Sequence, residues 1–152
     1  MNKIILIQIN HSEDHSEKIL PLGILSVGSA LKKYGFKVEL ININEQAIEM
    51  AVDNIIFKNP LYVGFSVMTG RQTKHSAEMS KKLKERADIK IMWGGIHPSL
   101  LPEQCLGEHY IDFVIVGEGE ATAVEFSQKL KAGERLNDIL GLGYKENGLL
   151  KI

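Results

Sequence analysis

The sequence has a single cysteine, Cys105, in 152 residues, together with four prolines and few aromatic side chains. One thiol excludes a disulfide within the chain and a zinc or iron–sulfur site built from its own cysteines. Lysine and arginine (18) almost balance aspartate and glutamate (19), which argues against a nucleic-acid surface or a polybasic membrane patch. The first apolar run, Ile4–Ile7, is too short to span a membrane and is not followed by a signal-peptide cleavage site.

What the sequence does have is the composition of one folded domain. Hydrophobic residues (44%) and charged residues (24%) occur in ordinary proportions. A chain of this length buries enough surface to fold without disulfides or a structural metal. We expect a soluble, cytoplasmic protein in which residues 1–140 form the main domain and residues 141–152 form a terminal hairpin.

Short β-branched runs alternate along the chain with segments of helical periodicity, which is typical of βαβ units. The runs are apolar on both faces, as in parallel strands that are covered by helices on each side. They are Ile4–Ile9, Val38–Ile43, Tyr62–Val67, Ile89–Trp93 and Phe113–Val116. The pattern predicts an α/β fold with a parallel sheet of five strands and a C-terminal β-hairpin. We expect the sheet to be doubly wound and flavodoxin-like (Rossmann-like), with the strand order 2-1-3-4-5.

The segments between the runs predict five helices. They cover Pro21 to Gly35, about 45–57, about 71–86, about 102–106 and about 120–131. In the third helix, His75, Met79 and Leu83 recur every four residues, so the spacing predicts that they face the core. An Asn147-Gly148 pair predicts the turn of the terminal hairpin.

Open parallel sheets bind ligands at the carboxyl ends of their strands, and the loops there exclude three common chemistries. No glycine follows the first strand before Gly23, so the G-x-G-x-x-G phosphate loop is absent. The later Gly117-Glu118-Gly119 string places carboxylates where a pyrophosphate would dock on a helix N-terminus. The third strand ends in Gly64–Met68, which lacks both the acidic residue of a phospho-acceptor domain and the second glycine of a nucleophile elbow.

What remains at the strand ends is a group of small and polar residues. They are Ser66, Thr69, Gly70, Gly94, Gly95, His97, Gly117 and Gly119. Glycines at these positions remove side chains that would keep a bulky or flat group away from the backbone. The composition of these loops therefore predicts a cleft for a sizeable ligand, whose identity the spacing alone does not give.

Five strings in this order carry a resemblance to a known family. They are Pro21–Leu25, Val63–Gly70, Trp93–Glu103, Ile111–Glu120 and Gly141–Tyr144. Together they resemble the cobalamin (B12)-binding domain found at the N-terminus of many radical S-adenosylmethionine proteins. The 42 residues between Gly23 and Ser66, and the 27 between Ser66 and Gly94, are similar to the spacings of the wider family.

The resemblance implies cobalamin as cofactor and a set of binding residues. Ser66 resembles the serine that hydrogen-bonds the dimethylbenzimidazole tail, and Gly94 and Gly95 resemble the pair that opens the slot for it. Residues 117–119 would line the far wall, and residues 68–70 the rim under the corrin. The implied cofactor-binding residues are Leu22, Gly23, Ser66, Val67, Met68, Thr69, Gly70, Gly94, Gly95, His97, Pro98, Gly117, Glu118 and Gly119.

The chain departs from the wider family at the lower cobalt ligand. The positions of the family's aspartate and histidine are Lys18 and Leu20, and a leucine side chain has no donor atom for cobalt. The resemblance therefore implies base-off, histidine-off cobalamin and no metal ligand from this chain. His11 and His15 could be shifted cobalt ligands or solvated loop residues, and His97 could face the corrin or brace its loop.

The implied function is that of the cobalamin-binding domain of a B12-dependent radical S-adenosylmethionine enzyme that performs methyl transfer or related radical chemistry. No C-x-x-x-C-x-x-C motif is present. S-adenosylmethionine and the [4Fe-4S] cluster would therefore belong to a catalytic domain beyond this chain, which would be its partner, and we expect no turnover from this domain alone.

Two other interpretations stay open. The first is a degenerate domain of the same fold that acts without cofactor as a substrate-binding or scaffold module. The second, which Glu118 and Glu120 argue against, is a flavin or nucleotide domain. If the tail slot exists, we expect Gly95→Val to abolish cobalamin binding while leaving the fold intact.

Overall fold

The computed structural model describes residues 2–14 and 19–152. One sheet has the strand order β2-β1-β3-β4-β5-β6-β7. The first five strands run parallel, and the last two are added antiparallel. The strands are β1 (Lys3–Asn10), β2 (Lys37–Asn44), β3 (Tyr62–Ser66), β4 (Ile91–Gly94), β5 (Phe113–Ile115), β6 (Leu142–Glu146) and β7 (Leu149–Lys151).

Helices cover both faces of the sheet. They are α1 (Leu22–Lys33), α2 (Ile48–Lys58), α3 (Arg71–Arg86), α4 (Ile96–Leu100), α5 (Pro102–Gly107) and α6 (Glu120–Ala132). Helices α1 and α6 pack on one face, called here the α1/α6 face, while α2, α3 and α5 pack on the opposite α2/α3 face. In the two described ranges, no helix combines the length and the apolar character that a membrane crossing needs.

The alternation of side chains along the strands separates two hydrophobic cores. On β3, Val63 and Phe65 point to the α2/α3 face, whereas Tyr62 points to the α1/α6 face. Because the period of a strand is two residues, Gly64 and Ser66 also lie on the α1/α6 side. The same strand therefore supplies large side chains to one face and small ones to the other at its carboxyl end.

The doubly wound fold and the predicted order of the five parallel strands are confirmed, but the sheet is larger than predicted. The terminal hairpin does not stand apart, because β6 pairs with β5 (Phe113 with Tyr144, Ile115 with Leu142) and β7 pairs with β6. The physical reason is that β5 would otherwise present an open edge, and an antiparallel hairpin satisfies its backbone groups.

Most helix boundaries agree with the periodicity, and α3 spans Arg71–Arg86 as predicted. Helix α4 was not predicted, because Pro98 argued against a helix between the glycine pair and Pro102. Pro98 is the third residue of α4, where the backbone N–H has no intrahelical partner, so the proline costs no hydrogen bond there. The start of the predicted second helix is a 3-10 turn, Glu45–Ala47, which leads into α2.

Candidate functional site

A cavity of about 410 Å³ lies on the α1/α6 face at the carboxyl ends of the parallel strands. Its volume falls within the range of roughly 300–1,000 Å³ that is typical of small-molecule sites. Strands β3, β4 and β5 supply the floor, and α1 and α6 supply the walls. The lining residues are Leu6, Gly23, Ile24, Val27, Tyr62, Gly64, Phe65, Ser66, Met92, Gly94, Gly95, Ile96, Ser99, Leu100, Ile115, Gly117, Glu118, Gly119, Glu120 and Ala123.

The floor is open at the carboxyl edge of two neighbouring strands, because Ser66 of β3 and Gly94 of β4 are the small residues that face the cavity there. In the β3–β4 register, Ser66 pairs with Gly94 at the carboxyl edge. A Cβ built on Gly94 would have no neighbour closer than 3.8 Å, so a side chain there would enter the cavity. A Cβ on Gly64 would come within 2.8 Å of Leu6, which means that this glycine is needed by the packing itself.

Ser66 is the polar group of the floor. A Cβ at Gly23 of α1 would lie 3.3 Å from the Ser66 hydroxyl oxygen, and one at Gly95 would lie 3.5 Å from it. The hydroxyl is therefore approached by backbone from two sides and still borders the cavity. An hydroxyl in that position can donate to or accept from a ligand that enters between the sheet and α1.

Gly95 borders the cavity, but its lack of a side chain is required by the packing of the neighbouring backbone. It has φ +98°, and a Cβ at this position would approach the backbone N and O of Val67 to 3.0 Å. Hydrogen bonds from Val67 N to Gly94 O (2.8 Å) and from His97 N to Val67 O (3.0 Å) hold the two loops together at this point. Gly95→Val would therefore strain the backbone and push it from Val67, so a loss of cobalamin binding in this variant would not by itself locate the tail slot. That the variant keeps its fold stays a prediction.

Ser99 was not predicted as a site residue, although it joins the loop after β4 to the loop after β5. Its hydroxyl donates to the carbonyl of Gly95 (2.7 Å) and accepts from the backbone N–H of Gly117 (3.0 Å). Gly117 has φ +83°, a conformation that glycine adopts without strain. The sequence contains no direct signal for this role, because it depends on α4, where a serine hydroxyl can bond the carbonyl four residues earlier.

The far wall is the start of α6, which lies close against α1. A Cβ on Gly119 would come within 3.2 Å of the Val27 side chain, so the lack of a side chain allows this approach. Glu120 accepts a hydrogen bond from the Ser26 hydroxyl across the same gap. That hydroxyl, followed by backbone N–H groups at the helix start, lowers the pKa of the Glu120 carboxyl.

The structure thus divides the predicted site residues into two groups. The lining contains Gly23, Ser66, Gly94, Gly95, Gly117, Glu118 and Gly119. Leu22, Val67, Met68, Thr69, Gly70, His97 and Pro98 are not part of it.

The second group surrounds the mouth or supports it. Met68 is 53% exposed, and the Thr69 hydroxyl pairs with His97 Nδ1 at 3.1 Å, so the histidine braces the two loops. Leu22 is exposed on α1, whereas Val67 and Pro98 are buried.

His11, in the loop after β1, does not line the cavity. His11 Nδ1 lies 2.9 Å from His75 Nε2 on α3, which directs the imidazole to the opposite side of the sheet. His15 and Lys18 lie outside the described residues. Leu20, at the position of the family's cobalt ligand, is 72% exposed.

Comparisons with known proteins identify similar chains. The profile of the B12 binding domain family matches residues 16–127. An uncharacterized methyltransferase of Pyrococcus horikoshii is 31% identical over 135 residues, which is 86% of this chain and 29% of the relative. The structure of the cobalamin-dependent S-adenosylmethionine radical enzyme OxsB, with aqua-cobalamin and S-adenosylmethionine bound, superposes with a TM-score of 0.84 at 27% identity.

The OxsB match covers 99% of this chain and 22% of that chain. The radical S-adenosylmethionine methyltransferase TsrM from Kitasatospora setae matches with a TM-score of 0.76 at 19% identity, again over 99% of this chain and 29% of that one. At that identity the second match shows the fold alone. The chain spans less than a third of the length of each of these three proteins.

Proposed function

The chain belongs to the B12-binding domain family, and from that premise we propose that it holds cobalamin with the dimethylbenzimidazole tail of the cofactor inside the α1/α6 cavity. The observation that carries the proposal is the open floor at Gly94, beside the hydroxyl of Ser66. A flat aromatic group needs a slot without side chains. Of the two glycines that β3 and β4 contribute to the floor, Gly64 is closed off by Leu6, whereas Gly94 leaves open space above its backbone.

The dimensions support partial rather than complete entry of the cofactor. A cavity of about 410 Å³ suits a planar ring and its sugar but not a whole corrinoid. The corrin would then stay at the mouth, above the carboxyl edge of the sheet. Exposed apolar side chains lie in this region, among them Leu22, Met68, Ile96 and Leu100, and a bound macrocycle would remove part of their surface from water.

The residues near the mouth support a cofactor without a protein ligand on cobalt. Leu20 carries no donor atom, His11 is held by residues of the opposite face, and His97 is paired with Thr69. We therefore propose that cobalamin binds base-off and histidine-off. When bound, it would supply a cobalt centre for group transfer, while Ser66 orients the tail and the walls of α1 and α6 exclude water from it.

In a longer protein, the domain would present cobalamin to a radical S-adenosylmethionine catalytic domain. The names of the methyltransferase relative and of OxsB support methyl transfer or a related radical reaction. S-adenosylmethionine and the iron–sulfur cluster would be held by that partner domain, because this chain offers a single cysteine. Its own role is to bind and orient the cofactor.

The test is a titration of the purified chain with hydroxocobalamin and with methylcobalamin, followed by ultraviolet–visible absorption. We expect saturable binding at micromolar affinity or tighter, about −8 kcal/mol, with the spectrum shifted to the base-off form. A base-on spectrum would contradict the proposed position of the tail. Absence of binding by a folded chain would favour the cofactor-free scaffold.

A substitution inside the slot tests its location. Gly94→Val should fill the floor and weaken cobalamin binding at least 100-fold, while the unfolding transition stays close to that of the wild type. Gly107→Val is the matched control, because a Cβ on Gly107 meets nothing within 4 Å and the residue lies at the exposed end of α5. Unchanged affinity for cobalamin in a folded Gly94→Val variant would show that the tail does not bind in this cavity.

A further inference from the structure

A second group of chemically active side chains lies on the α2/α3 face. His11 follows β1, Glu45 follows β2, and His75 is in the second turn of α3. In the parallel ladder Asn10 pairs with Asn44, so the residues that come next, His11 and Glu45, leave the sheet side by side. One ligand-type atom from each of the three side chains lies within 4.8 Å of the other two.

The distances show three electron-pair donors that converge. His11 Nδ1 is 2.9 Å from His75 Nε2 and 3.4 Å from Glu45 Oε1. The third donor is a carboxylate oxygen of Glu45, whose two oxygens are held by the backbone N–H and the hydroxyl of Ser12. The two imidazole nitrogens share one hydrogen, and Glu45 Oε1 accepts another from the Ser12 hydroxyl at 2.6 Å. If a single cation replaced the shared imidazole hydrogen, all three atoms could donate electron pairs to it, with the ring hydrogens on the distal nitrogens.

We propose that His11, Glu45 and His75 form a binding site for a divalent first-row metal ion of the zinc type. Two imidazoles and one carboxylate are a known zinc donor set that leaves the fourth position open. With bonds of roughly 2.0–2.1 Å, tetrahedral ligand atoms are about 3.3 Å apart. The His11–Glu45 distance agrees with this value, and the two imidazoles need to separate by only a few tenths of an ångström.

The burial of His75 supports the site. This residue is 6% exposed, and among the described residues the one side chain that hydrogen-bonds it is His11. Its Nε2 faces His11, and its Nδ1 has no hydrogen-bond partner among the described residues, so Nε2 is the atom that this buried ring presents to the cluster. On the buried side of α3, His75 is a polar residue in line with the hydrophobic Met79 and Leu83. A role as a metal ligand would explain an imidazole at this position.

Neighbouring groups hold the other two ligands in place. The backbone N–H and the hydroxyl of Ser12 donate to Glu45 at 2.8 and 2.6 Å. The distal nitrogen of His11, Nε2, is 3.6 Å from the carboxylate of Glu13. This separation is an ion-pair distance and longer than a hydrogen bond. In metal sites, a carboxylate that hydrogen-bonds the non-ligating nitrogen orients the ring, and a small movement of the exposed Glu13 side chain would supply that contact.

The donor set also selects the class of metal. Two imidazole nitrogens suit zinc and its first-row neighbours, whereas calcium and magnesium require more oxygen ligands. The thiol of Cys105 is no competitor, because burial raises its pKa to about 11 and keeps it protonated. An ion here would tie the ends of β1 and β2 to α3, on the face opposite the cavity.

The experiment uses untagged protein that has been stripped with a chelator and dialysed. Isothermal titration with ZnCl₂ should show one ion per chain at micromolar affinity or tighter, with a higher melting temperature at saturation. Titration with CoCl₂ should give the visible absorption bands of four- or five-coordinate Co²⁺. Absence of zinc binding, or a stoichiometry that does not saturate at one, would overturn the proposal.

Variants locate the ion. Glu45→Gln and His75→Ala should each weaken zinc binding at least about 100-fold, since loss of an outer-shell partner alone costs roughly 10–100-fold. Glu45 is partly exposed, so its variant keeps the test valid if His75→Ala does not fold. The control is His109→Ala, an exposed histidine before β5, which should bind zinc like the wild type. Undiminished affinity in folded Glu45→Gln would overturn the site, whatever the result with cobalamin.

Discussion

The two faces of the sheet differ most at the carboxyl ends of β3 and β4. On the α2/α3 face, Phe65 and Trp93 are buried in a continuous hydrophobic core. On the α1/α6 face, their sequence neighbours Ser66 and Gly94 border a cavity. Because strand residues alternate between faces, a single pair of strands provides both a packed core and an open slot.

The comparison teaches that the slot depends on the opposite face. A cavity lacks the contacts that would fix its walls, so the strands that form its floor need support from behind. Trp93 supplies part of that support, because its indole N–H donates to the buried Ser80 hydroxyl of α3 at 3.1 Å. The cavity can therefore stay open while the sheet beneath it keeps its shape.

The largest expected difference between the two faces is in the loss of stability when a buried side chain is shortened to alanine. Met79 of α3 and Met92 of β4 are both buried, but only Met92 borders the cavity. Met79→Ala should lower the free energy of unfolding by roughly 2–5 kcal/mol, the usual cost of a new void. Met92→Ala should cost about half as much, because its side chain already has empty space on one side.

Urea denaturation of the two methionine variants, with cobalamin absent, measures this difference. Equal losses of stability would mean that the cavity is closed in solution and that both faces are packed alike. A larger loss for Met92→Ala would reverse the comparison.

An intermediate loss of stability is expected when either of two buried hydrogen bonds, one on each face of the sheet, is removed. Ser80→Ala leaves the Trp93 indole N–H buried without its partner, which should cost roughly 1–3 kcal/mol. On the α1/α6 face, the Tyr62 hydroxyl pairs with Ser127 at 3.0 Å, but Ser127 also donates to the carbonyl of Ala123. Tyr62→Phe should therefore cost less, about 1 kcal/mol or below.

Thermal unfolding of both hydrogen-bond variants provides the measurement. If Tyr62→Phe proved the more destabilising of the two, the idea that the α2/α3 face carries the support of the sheet would fail.

The smallest effect concerns the rim of the cavity and depends on pH. The folded-state pKa of Glu120 is lowered, chiefly by the Ser26 hydroxyl, so its contribution to stability is present above the unfolded pKa near 4.5. That contribution is lost as the pH falls through the folded pKa. Glu120→Gln should lower stability by roughly 0.5 kcal/mol at pH 7, and the difference from wild type should shrink in acid.

Denaturation curves recorded between pH 7 and pH 3 test the role of Glu120. Glu118→Gln is the control, since that exposed carboxylate lies two residues earlier, in the loop before α6, and the hydrogen bond from Ser26 goes to Glu120. A Glu120 effect that does not change with pH would assign the contact to packing instead of charge.

Particular residues show how far the sequence could predict the fold. Helix α3 was predicted with its boundaries, because its stripe of core residues ends in a basic last turn before the next strand. Helix α4 was missed, because a proline is tolerated in the first turn, where it removes no hydrogen bond. The strand β5 gave no sign that the hairpin would pair with it, since edge pairing depends on which strand lies last in the sheet.

The candidate site was predictable in its loops but not in its geometry. Gly94 and Gly95 are adjacent and of the same residue type. A side chain at Gly94 would enter the cavity, whereas a side chain at Gly95 would meet the backbone of Val67. Ser99 was missed because its role requires the glycine loops after β4 and β5 to be neighbours. The local sequence pattern therefore identified the loops of the site. The strand register decided which residue of each loop borders the cavity and which supports the backbone.

The sequence by itself determined the alternation of strands and helices, the class of parallel sheet that this alternation builds and the glycine-rich ends where a ligand could approach, because these follow from local periodicity and turn chemistry. Only the tertiary structure decided what faces what. His11, Glu45 and His75 come from segments that are 34 and 30 residues apart along the chain. They meet because the β1–β2 register and the right-handed crossover to α3 bring them together, and no local pattern contains that information.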